Sequence, residues 1–400
     1  MKRFAVFNPE HDLALANGDV HYLAPRNIRE MAHDLAPLMD YLAWDTPWGW
    51  DAAIVNYLHK SGIPRQELPN DAMLAALRTR SERITAHHLL QQMLSLSGHL
   101  TGESYVCRSL DDIESCATQH SHLLLKAPLS GSGKGLRHLN FNDDDNKNDN
   151  YPTSRRSTSA LTLSLKKVES WADALIRRHG YLTAEPYYDK VQDFAMEFIV
   201  ADGQCHFIGY SLFTTDDHGR YDSNLLLSDA DIEARLSEYI PHSVLHDVRY
   251  FVETHSDLII PAEWDTSRFP ITFGIDMMIV NDRGQQSTVD GQHPIRPDGN
   301  SQFRTHNSQF NLHPCVEINL RANMGIIAHE VRRHLMAPEA TGIYRLALFA
   351  DHAALAAFDE EQRALYPALY RDGLLVRGYH PLTSTEGNTR HLAYVIGKEV

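Results

Sequence analysis

Residues 121–137 read SHLLLKAPLSGSGKGLR, an apolar run that ends in Lys126 and is followed by a loop of glycine and serine. An apolar run bounded by Pro and Gly predicts a buried strand. The glycines permit positive φ and close backbone approach, so successive amide N–H groups can converge on an anion. Lys126 and Lys134 bracket the loop with positive charge. The stretch predicts a polyphosphate site; the alternative is a surface loop that carries a lysine by chance.

Two common phosphate motifs do not fit this loop. The P-loop needs Ser or Thr directly after its lysine, and Gly135 stands there instead. The GxGxxG pattern needs a third glycine where this chain has Leu136. If this loop binds phosphates, it does so with a motif other than the P-loop or GxGxxG. Its candidate ligand-binding residues are Ser130, Gly131, Ser132, Gly133, Lys134 and Gly135.

The bulk composition is that of an ordinary globular protein. The chain has 400 residues, of which 43% are hydrophobic and 22% charged, enough for two or three subdomains. The net charge of −15 argues against general binding to nucleic acid or a membrane surface. A local basic pocket remains compatible with it.

The cysteines and the N-terminus favour a cytoplasmic protein. Four scattered cysteines form no CxxC pair, so neither a zinc site nor a disulfide framework is indicated, and we expect reduced thiols. The first residues are not those of a signal peptide, and no apolar run is long enough to span a membrane.

The first 110 residues are expected to form a small α/β unit. Residues 2–7 and 52–57 have the pattern of strands, and residues 28–42 and 84–94 have helical spacing. Directly after the first strand come Glu10, His11 and Asp12, where ligands sit in open α/β sheets. This acidic cluster is either a contact with substrate or a solvated turn with helix N-terminal acids.

A polar segment follows the glycine loop. Residues 140–159 are nearly free of aliphatic side chains, and we expect a mobile insert. After it, residues 161–165 predict a strand and residues 170–178 a short helix.

Two later apolar strands carry polar residues that are costly to bury alone. Asp276 lies within ITFGIDMMIV, and an acid there costs several kcal/mol unless it is paired or metal-bound. Glu317, Asn319 and Arg321 stand at alternate positions of the next strand, so they share one face. Carboxylates and a carboxamide suit Mg²⁺ shared with phosphates, and an arginine can clamp a phosphate oxygen. The alternative is a structural salt bridge between an acid and Arg321.

The order of these features resembles the ATP-grasp superfamily, which includes D-alanine–D-alanine ligase, glutathione synthetase and biotin carboxylase. The resemblance covers roughly residues 105–335 and depends most on the lysine and glycine loop and on Glu317-x-Asn319-x-Arg321. It implies an α/β fold with α+β lobes: an N-terminal pre-ATP-grasp-like domain over 1–110, an ATP-grasp domain over 111–335 and a C-terminal extension over 336–400. Within the middle domain it implies a small lobe over about 111–190 and a large lobe over about 191–335, with ATP between them.

The resemblance also implies roles for individual residues. Lys126 would contact the α and β phosphates and take part in catalysis, and the glycine loop would fold over the triphosphate. Arg321 would stabilise the transferring phosphate. The remaining expected ligands are Glu185, Tyr187 and Tyr188 for adenine, Asp193 for the ribose, and Asp276, Glu317 and Asn319 for two Mg²⁺, with Mn²⁺ as an alternative metal.

The sequence departs from the family pattern at two places. Gly274 stands where some peptide-ligase members carry a catalytic arginine, which leaves the substrate chemistry open. A long insertion over 281–311 separates two strands that are usually joined by a short turn. It brings polar groups that could bind a ligand, namely Asp290, His293, Arg296 and Arg304.

We therefore expect an ATP- and Mg²⁺-dependent ligase that joins a carboxylate to an amine or thiol through an acylphosphate. The alternatives are a small-molecule kinase with the same nucleotide site and a non-catalytic ATP-binding protein. Small-molecule substrates are expected as partners, with no nucleic acid and no membrane. Neither the identity of the substrates nor the oligomeric state follows from the sequence.

Overall fold

A computed structural model of the chain describes residues 2–130, 135–140, 158–215, 221–281 and 309–399, with the backbone alone at 158–164 and 215. The helices are α1 (His11–Asn17), α2 (Arg26–Leu35), α3 (Ala52–Lys60), α4 (Asp71–Arg80), α5 (Arg83–Met93), α6 (Leu110–Gln119), α7 (Thr158–His179), α8 (Asp229–Leu236), α9 (His242–Thr254), α10 (Met324–Leu335) and α11 (His352–Leu365). Among the residues described, no helix is both long and apolar enough to cross a bilayer.

The strands complete the element order. They are β1 (Tyr105–Cys107), β2 (His122–Lys126), β3 (Leu136–Asn140), β4 (Leu182–Pro186), β5 (Lys190–Ala201), β6 (Gln204–Thr215), β7 (Tyr221–Leu226), β8 (Ile271–Asn281), β9 (Phe310–Asn319), β10 (Thr341–Leu348), β11 (Leu369–Arg371), β12 (Leu374–Pro381) and β13 (His391–Lys398). Short 3₁₀ helices lie at Ala36–Asp40, Arg65–Glu67 and Ser256–Leu258.

The small lobe is a four-stranded antiparallel sheet in the order β1-β4-β2-β3, covered by α6 and α7. The hairpin β2–β3 brackets the glycine loop, and Ala127 N donates to Gly135 O across its base at 2.9 Å. Leu123 and Leu125 on β2 are fully buried, as the apolar run predicted. Lys126 therefore ends a buried strand at the edge of the lobe.

The large lobe is a nine-stranded sheet in the order β11-β12-β13-β10-β7-β6-β5-β8-β9, with every neighbouring pair antiparallel. The last four strands in the chain extend this sheet at one end. The segment we predicted as a C-terminal extension is thus structurally part of the large lobe. The candidate acids lie on β8 and β9, at the opposite edge.

The N-terminal segment is helical rather than α/β, because among the described residues no strand precedes Tyr105. Residues 2–7 join no sheet: the chain bends at Arg3 and Phe4, whose backbone N–H groups donate to the Asp45 carboxylate at 2.8 and 2.7 Å. The strand predicted over 52–57 is wrong: it lies in α3, whose N-cap Asp51 accepts from Ile54 N at 2.8 Å.

The core shows how this segment is held. Trp50, Leu77 and Leu89 pack with the β5–β8 side of the large sheet, whereas Leu35 and Leu38 pack with α10 and the C-terminal strands. The N-terminal residues thus share two clusters with the large lobe instead of forming a core of their own. This packing brings α1 and the α4–α5 turn to the acid-bearing edge.

The structure also corrects the region after the glycine loop. The predicted strand over 161–165 lies inside α7, because its alternating leucines are also good helix formers. Residues 141–157 of the predicted insert lie outside the described residues, as do Asp290, His293, Arg296 and Arg304 of the 281–311 insertion.

Candidate active site

Two strands place the candidate metal ligands side by side. In the β8–β9 ladder Asp276 is directly opposite Glu317, and Gly274 is directly opposite Asn319. Directly opposed residues of an antiparallel pair have Cβ atoms about 4.5–5.5 Å apart, so the two carboxylates share one face. The register thus assembles from two strands the acid set that the sequence predicted.

The two acids repel each other. Burial, and then the charge of Glu317, raise the pKa of Asp276 to about 7, although the Asn319 amide and Arg321 oppose this. Asn319 Nδ2 donates to Asp276 Oδ2 at 3.1 Å. A cation bound between the two carboxylates would offset this repulsion.

These residues fit Mg²⁺ only together with other oxygens. In the part of the chain that the structure describes, no group of three or more His, Cys, Asp or Glu side chains is placed to hold a metal ion. Asp276 and Glu317 provide two carboxylates, and phosphate oxygens would complete the shell of an ion shared with a nucleotide. Asn319 Oδ1 accepts from Arg321 Nη2 at 3.1 Å, so its oxygen must turn to ligate a metal.

The orientation of Arg321 is fixed by Asp12, a residue near the N-terminus. Its Nε and Nη2 donate to the two carboxylate oxygens of Asp12 at 3.0 and 2.8 Å. Burial would raise the pKa of Asp12, but Arg321 outweighs it through its charge and hydrogen bonds and lowers that pKa. Nη1 donates to the carbonyl oxygen of Ala322 at 3.0 Å. Asp276, Asn319, Arg321 and Asp12 thus form one hydrogen-bonded line.

Lys126 reaches both lobes. Its Nζ lies 2.5 Å from Glu185 Oε2 on β4 and donates to Val316 O on β9 at 3.3 Å. Lys126 is 3% exposed and Glu185 is 8% exposed. The structure therefore brings together two predicted nucleotide ligands as an ion pair, beside the residue that precedes Glu317.

The two predicted adenine contacts, Tyr187 and Tyr188, lie on the connection between β4 of the small lobe and β5 of the large lobe, which we call the hinge. Tyr187 is exposed and stacks on His122, with ring centroids 4.3 Å apart. Tyr188 is buried, its hydroxyl accepts from Glu103 N at 2.7 Å, and it packs with Met278, Val280 and Val316. These apolar side chains line the junction of the hinge with β8 and β9.

Of the other predicted nucleotide ligands, the structure describes Asp193, Ser130 and Gly135. Asp193 lies on β5 beside Met278, and its Oδ2 is 2.5 Å from Lys190 Nζ. Ser130 and Gly135 bound the glycine loop, and a side chain at Gly135 would collide with Ser130. Gly131, Ser132, Gly133 and Lys134 lie outside the described residues. Ser130 and Gly135 therefore approach closely at the base of the loop.

A buried acid occupies the space that Gly274 leaves. A Cβ at Gly274 or Gly325 would collide with the Glu197 carboxylate, which accepts from Asn323 Nδ2 at 2.7 Å. Burial is the main reason why the pKa of Glu197 is raised to about 8, and Asp276 adds to it. The Glu197 carboxyl group on β5 therefore fills the space beside Gly274, the position at which some peptide ligases carry a catalytic arginine.

The N-terminal acidic cluster meets this site. His11 and Asp12 line one narrow cleft together with residues from the glycine loop base and β9, which are Ser130, Glu317 and Asn319. His11 is 1% exposed, and its Nδ1 lies 3.0 Å from Asp51 Oδ2. Of the two interpretations of the cluster, the structure favours a place in the site over a solvated turn.

Comparison with known proteins gave likenesses of structure alone. No protein-family model and no curated protein matched the sequence. Biotin carboxylase from Campylobacter jejuni, in a beta-gamma-ATP complex, matches 99% of this chain and 81% of its own at 12% identity and a TM-score of 0.46. N5-carboxyaminoimidazole synthetase from Staphylococcus aureus, complexed with ADP, matches 93% of this chain and 79% of its own at 12% identity and a TM-score of 0.44.

Such low identities and TM-scores say nothing about chemistry here. Within the chain, the β2–β3 hairpin lies against the second sheet at Lys126, which donates to Val316 O on β9, beside Glu317. The predicted α/β fold class is confirmed, because the chain forms two lobes that are each built from an antiparallel sheet and helices.

One arginine lines this cleft that no sequence pattern had indicated. Arg83 begins α5, and its Nη2 lies 3.0 Å from Glu317 Oε1. No motif surrounds it, and only its place just before an apolar helix could have drawn attention to it. Glu197 could have been noticed, because it is an acid in the middle of the apolar stretch FAMEFIV.

Proposed function

We propose that this chain is an ATP- and Mg²⁺-dependent ligase that joins a carboxylate to an amine or thiol through an acylphosphate. The observation that supports it most is the position of Lys126. Its ammonium group ends the strand before the glycine loop and contacts the carbonyl of Val316, next to Glu317. A phosphate-binding cation and the candidate metal acids are therefore adjacent, and a simple nucleotide binder has little need of such a metal set.

In this proposal the nucleotide lies along strand β9. Tyr187 and Tyr188 with Glu185 hold adenine, and Asp193 holds the ribose. Lys126 binds the α and β phosphates, and the loop from Ser130 to Gly135 covers the triphosphate. A preorganised set of cations and dipoles lowers the barrier to phosphoryl transfer mainly by electrostatics and positioning.

Asp276, Glu317 and Asn319 would hold Mg²⁺, which neutralises charge on the transferring phosphate. Arg321 adds a fixed positive charge at the same end, because Asp12 and Asn319 lock its orientation. The carboxylate substrate attacks the γ-phosphate and releases ADP. An amine or thiol then attacks the acyl carbon, and inorganic phosphate leaves.

The four cysteines support placing this enzyme in the cytoplasm. Cys107, Cys116, Cys205 and Cys315 are all free thiols. Free thiols persist in reducing compartments, where ATP is also abundant.

The test is a screen of MgATP with panels of carboxylic acids and amines, with ADP and inorganic phosphate measured separately. A ligase releases the two in equal amounts and only when both substrates are present. Hydroxylamine in place of the amine should trap the acylphosphate as a hydroxamate. A stable phosphorylated product without inorganic phosphate would instead show a kinase. Glu317→Gln is the matched inactive control.

A further inference from the structure

We propose that Arg83 binds the terminal phosphate of ATP and thereby distinguishes ATP from ADP. This inference rests on the proposed function, because it needs the nucleotide to lie in this cleft. Arg83 belongs to the helical N-terminal segment, outside the stretch that carries the family resemblance.

The backbone and side chain of Arg83 are fixed to the base of the glycine loop. Its N–H donates to Pro128 O at 2.9 Å, and its Nε donates to Ala127 O at 3.0 Å. The side chain is 9% exposed. These contacts tie the start of α5 to the small lobe and hold the planar guanidinium group in one orientation.

The Nη2 atom of the same guanidinium group lies between the two sides of the cleft, Ser130 and Glu317. Nη2 donates to Ser130 Oγ at 3.3 Å and lies 3.0 Å from Glu317 Oε1. One nitrogen thus contacts both the glycine loop and a candidate metal ligand. When Glu317 ligates a metal ion, its charge is compensated without Arg83, and Nη2 becomes available to an anion on that metal.

Two other cations near the site are held by protein groups. Four hydrogen bonds occupy Arg321: one from Nε, one from Nη1 and two from Nη2. Lys126 is paired with Glu185. Among the residues that the structure describes, Arg83 is the only lysine or arginine that lines the cleft between Ser130 and Asn319. An oxyanion entering this cleft meets Arg83 as its cationic partner.

Two neighbouring residues of β9 relate Arg83 to Lys126. Lys126 contacts the carbonyl of Val316, and Arg83 contacts the carboxylate of the next residue, Glu317. A nucleotide with its first phosphates at Lys126 and its metal ion at Glu317 brings its terminal phosphate to Arg83. ADP lacks that phosphate and therefore lacks this contact.

The experiment is calorimetry of Arg83→Gln with the Mg²⁺ complexes of ADP and of a non-hydrolysable ATP analogue. One charge-assisted contact predicts a roughly tenfold to hundredfold loss of affinity for the analogue. Affinity for ADP should change less than about threefold on the same reasoning. Arg26→Gln is the matched control, since Arg26 pairs with Glu30 on an exposed surface, and both affinities should stay at the wild-type level.

Other outcomes contradict the inference. Equal losses for the two nucleotides would show that Arg83 is a structural link between loop and strand, and unchanged affinities would place it outside the phosphate site. If Arg83→Gln fails to fold, Arg83→Lys keeps the charge, and it should bind the analogue with intermediate affinity and ADP normally. A wild-type protein that binds neither nucleotide would overturn the proposed function and this inference with it.

Discussion

Two regions supply the candidate site in different ways. The strand pair β8–β9 presents Asp276 and Glu317 from directly opposed positions, so their separation follows from the ladder itself. The N-terminal helical segment presents Asp12 and Arg83, which are held by ion pairs to Arg321 and Glu317. In the first region backbone hydrogen bonds set the geometry; in the second, side-chain charges do.

The difference has a physical consequence. A sheet position survives a side-chain substitution, because the ladder remains, so a change there should alter chemistry more than structure. A position held by an ion pair is lost with the pair, and its partner is left buried without compensation. We therefore expect mutations in the two regions to separate activity from stability.

The largest effect is expected from Glu317→Gln on the strand pair. The change keeps the shape and one oxygen but removes a charge that faces the proposed metal. ADP release should fall by about 100-fold or more, because phosphoryl transfer depends on metal and charge together. Affinity for ATP should fall much less, since the contacts to adenine, ribose and Lys126 remain. A destabilised protein whose folded fraction keeps wild-type specific activity would instead support a structural role.

Lys126→Ala should weaken ATP binding by roughly tenfold to hundredfold, the value of one charge-assisted contact. The variant also leaves Glu185 buried without its partner, so the melting temperature should fall. The double variant Lys126→Met with Glu185→Gln removes both charges and should recover most of the stability but not the affinity. If the double variant recovers the ATP affinity of the wild type, Lys126 does not bind the phosphates.

Asp12→Asn tests the region held by ion pairs. It removes the charge that locks Arg321, so turnover should fall by roughly tenfold and stability by about 1–3 kcal/mol. The loss should appear in kcat more than in the affinity for ATP, because Arg321 acts on the transferring phosphate. Asp71→Asn is the control, since Asp71 is 97% exposed in its pair with Arg65. An unchanged kcat would show that Arg321 needs no help from the N-terminal segment.

The smallest effect concerns pH. Because folding raises the pKa of Asp276 to about 7, the native state binds its proton more tightly than the unfolded state. This contribution to stability is complete below the unfolded pKa of about 4 and is lost as pH rises towards 7. Between pH 5.5 and 8.5 the wild type should lose about 2 kcal/mol that Asp276→Asn does not lose.

Melting curves of both proteins without metal measure this difference. Adding Mg²⁺ with ATP should stabilise the wild type more at pH 8.5 than at pH 5.5, because ligation requires the ionised carboxylate. A pH dependence that is the same in wild type and Asp276→Asn would contradict the raised pKa of Asp276.

The same difference explains what the sequence could predict. Glu317 and Asn319 stand at alternate positions of β9, and strand periodicity is local, so their common face could be foreseen. Arg321 was expected on the same strand, but β9 ends at Asn319 and Arg321 lies in the bend that follows, where its N–H donates to Asn319 O at 2.8 Å. The buried strand β2 that ends at Lys126 could also be predicted, because its apolar run is a local pattern. Asp12 pairs with a residue 309 positions away, and no local pattern encodes such a contact. The strand expected over 52–57 was wrong because an Asp51 cap and helical burial outweighed a short apolar run.

The central claim is that Asp276 and Glu317 hold the metal of a bound nucleotide. The most direct measurement is a crystal structure of the wild type with Mn²⁺ and a non-hydrolysable ATP analogue, with anomalous scattering used to locate manganese. We predict manganese within ligating distance of the Asp276 and Glu317 carboxylates, adenine at Tyr187 and Tyr188, and the terminal phosphate at Arg83. Nucleotide bound in the cleft with manganese away from both carboxylates would contradict the account.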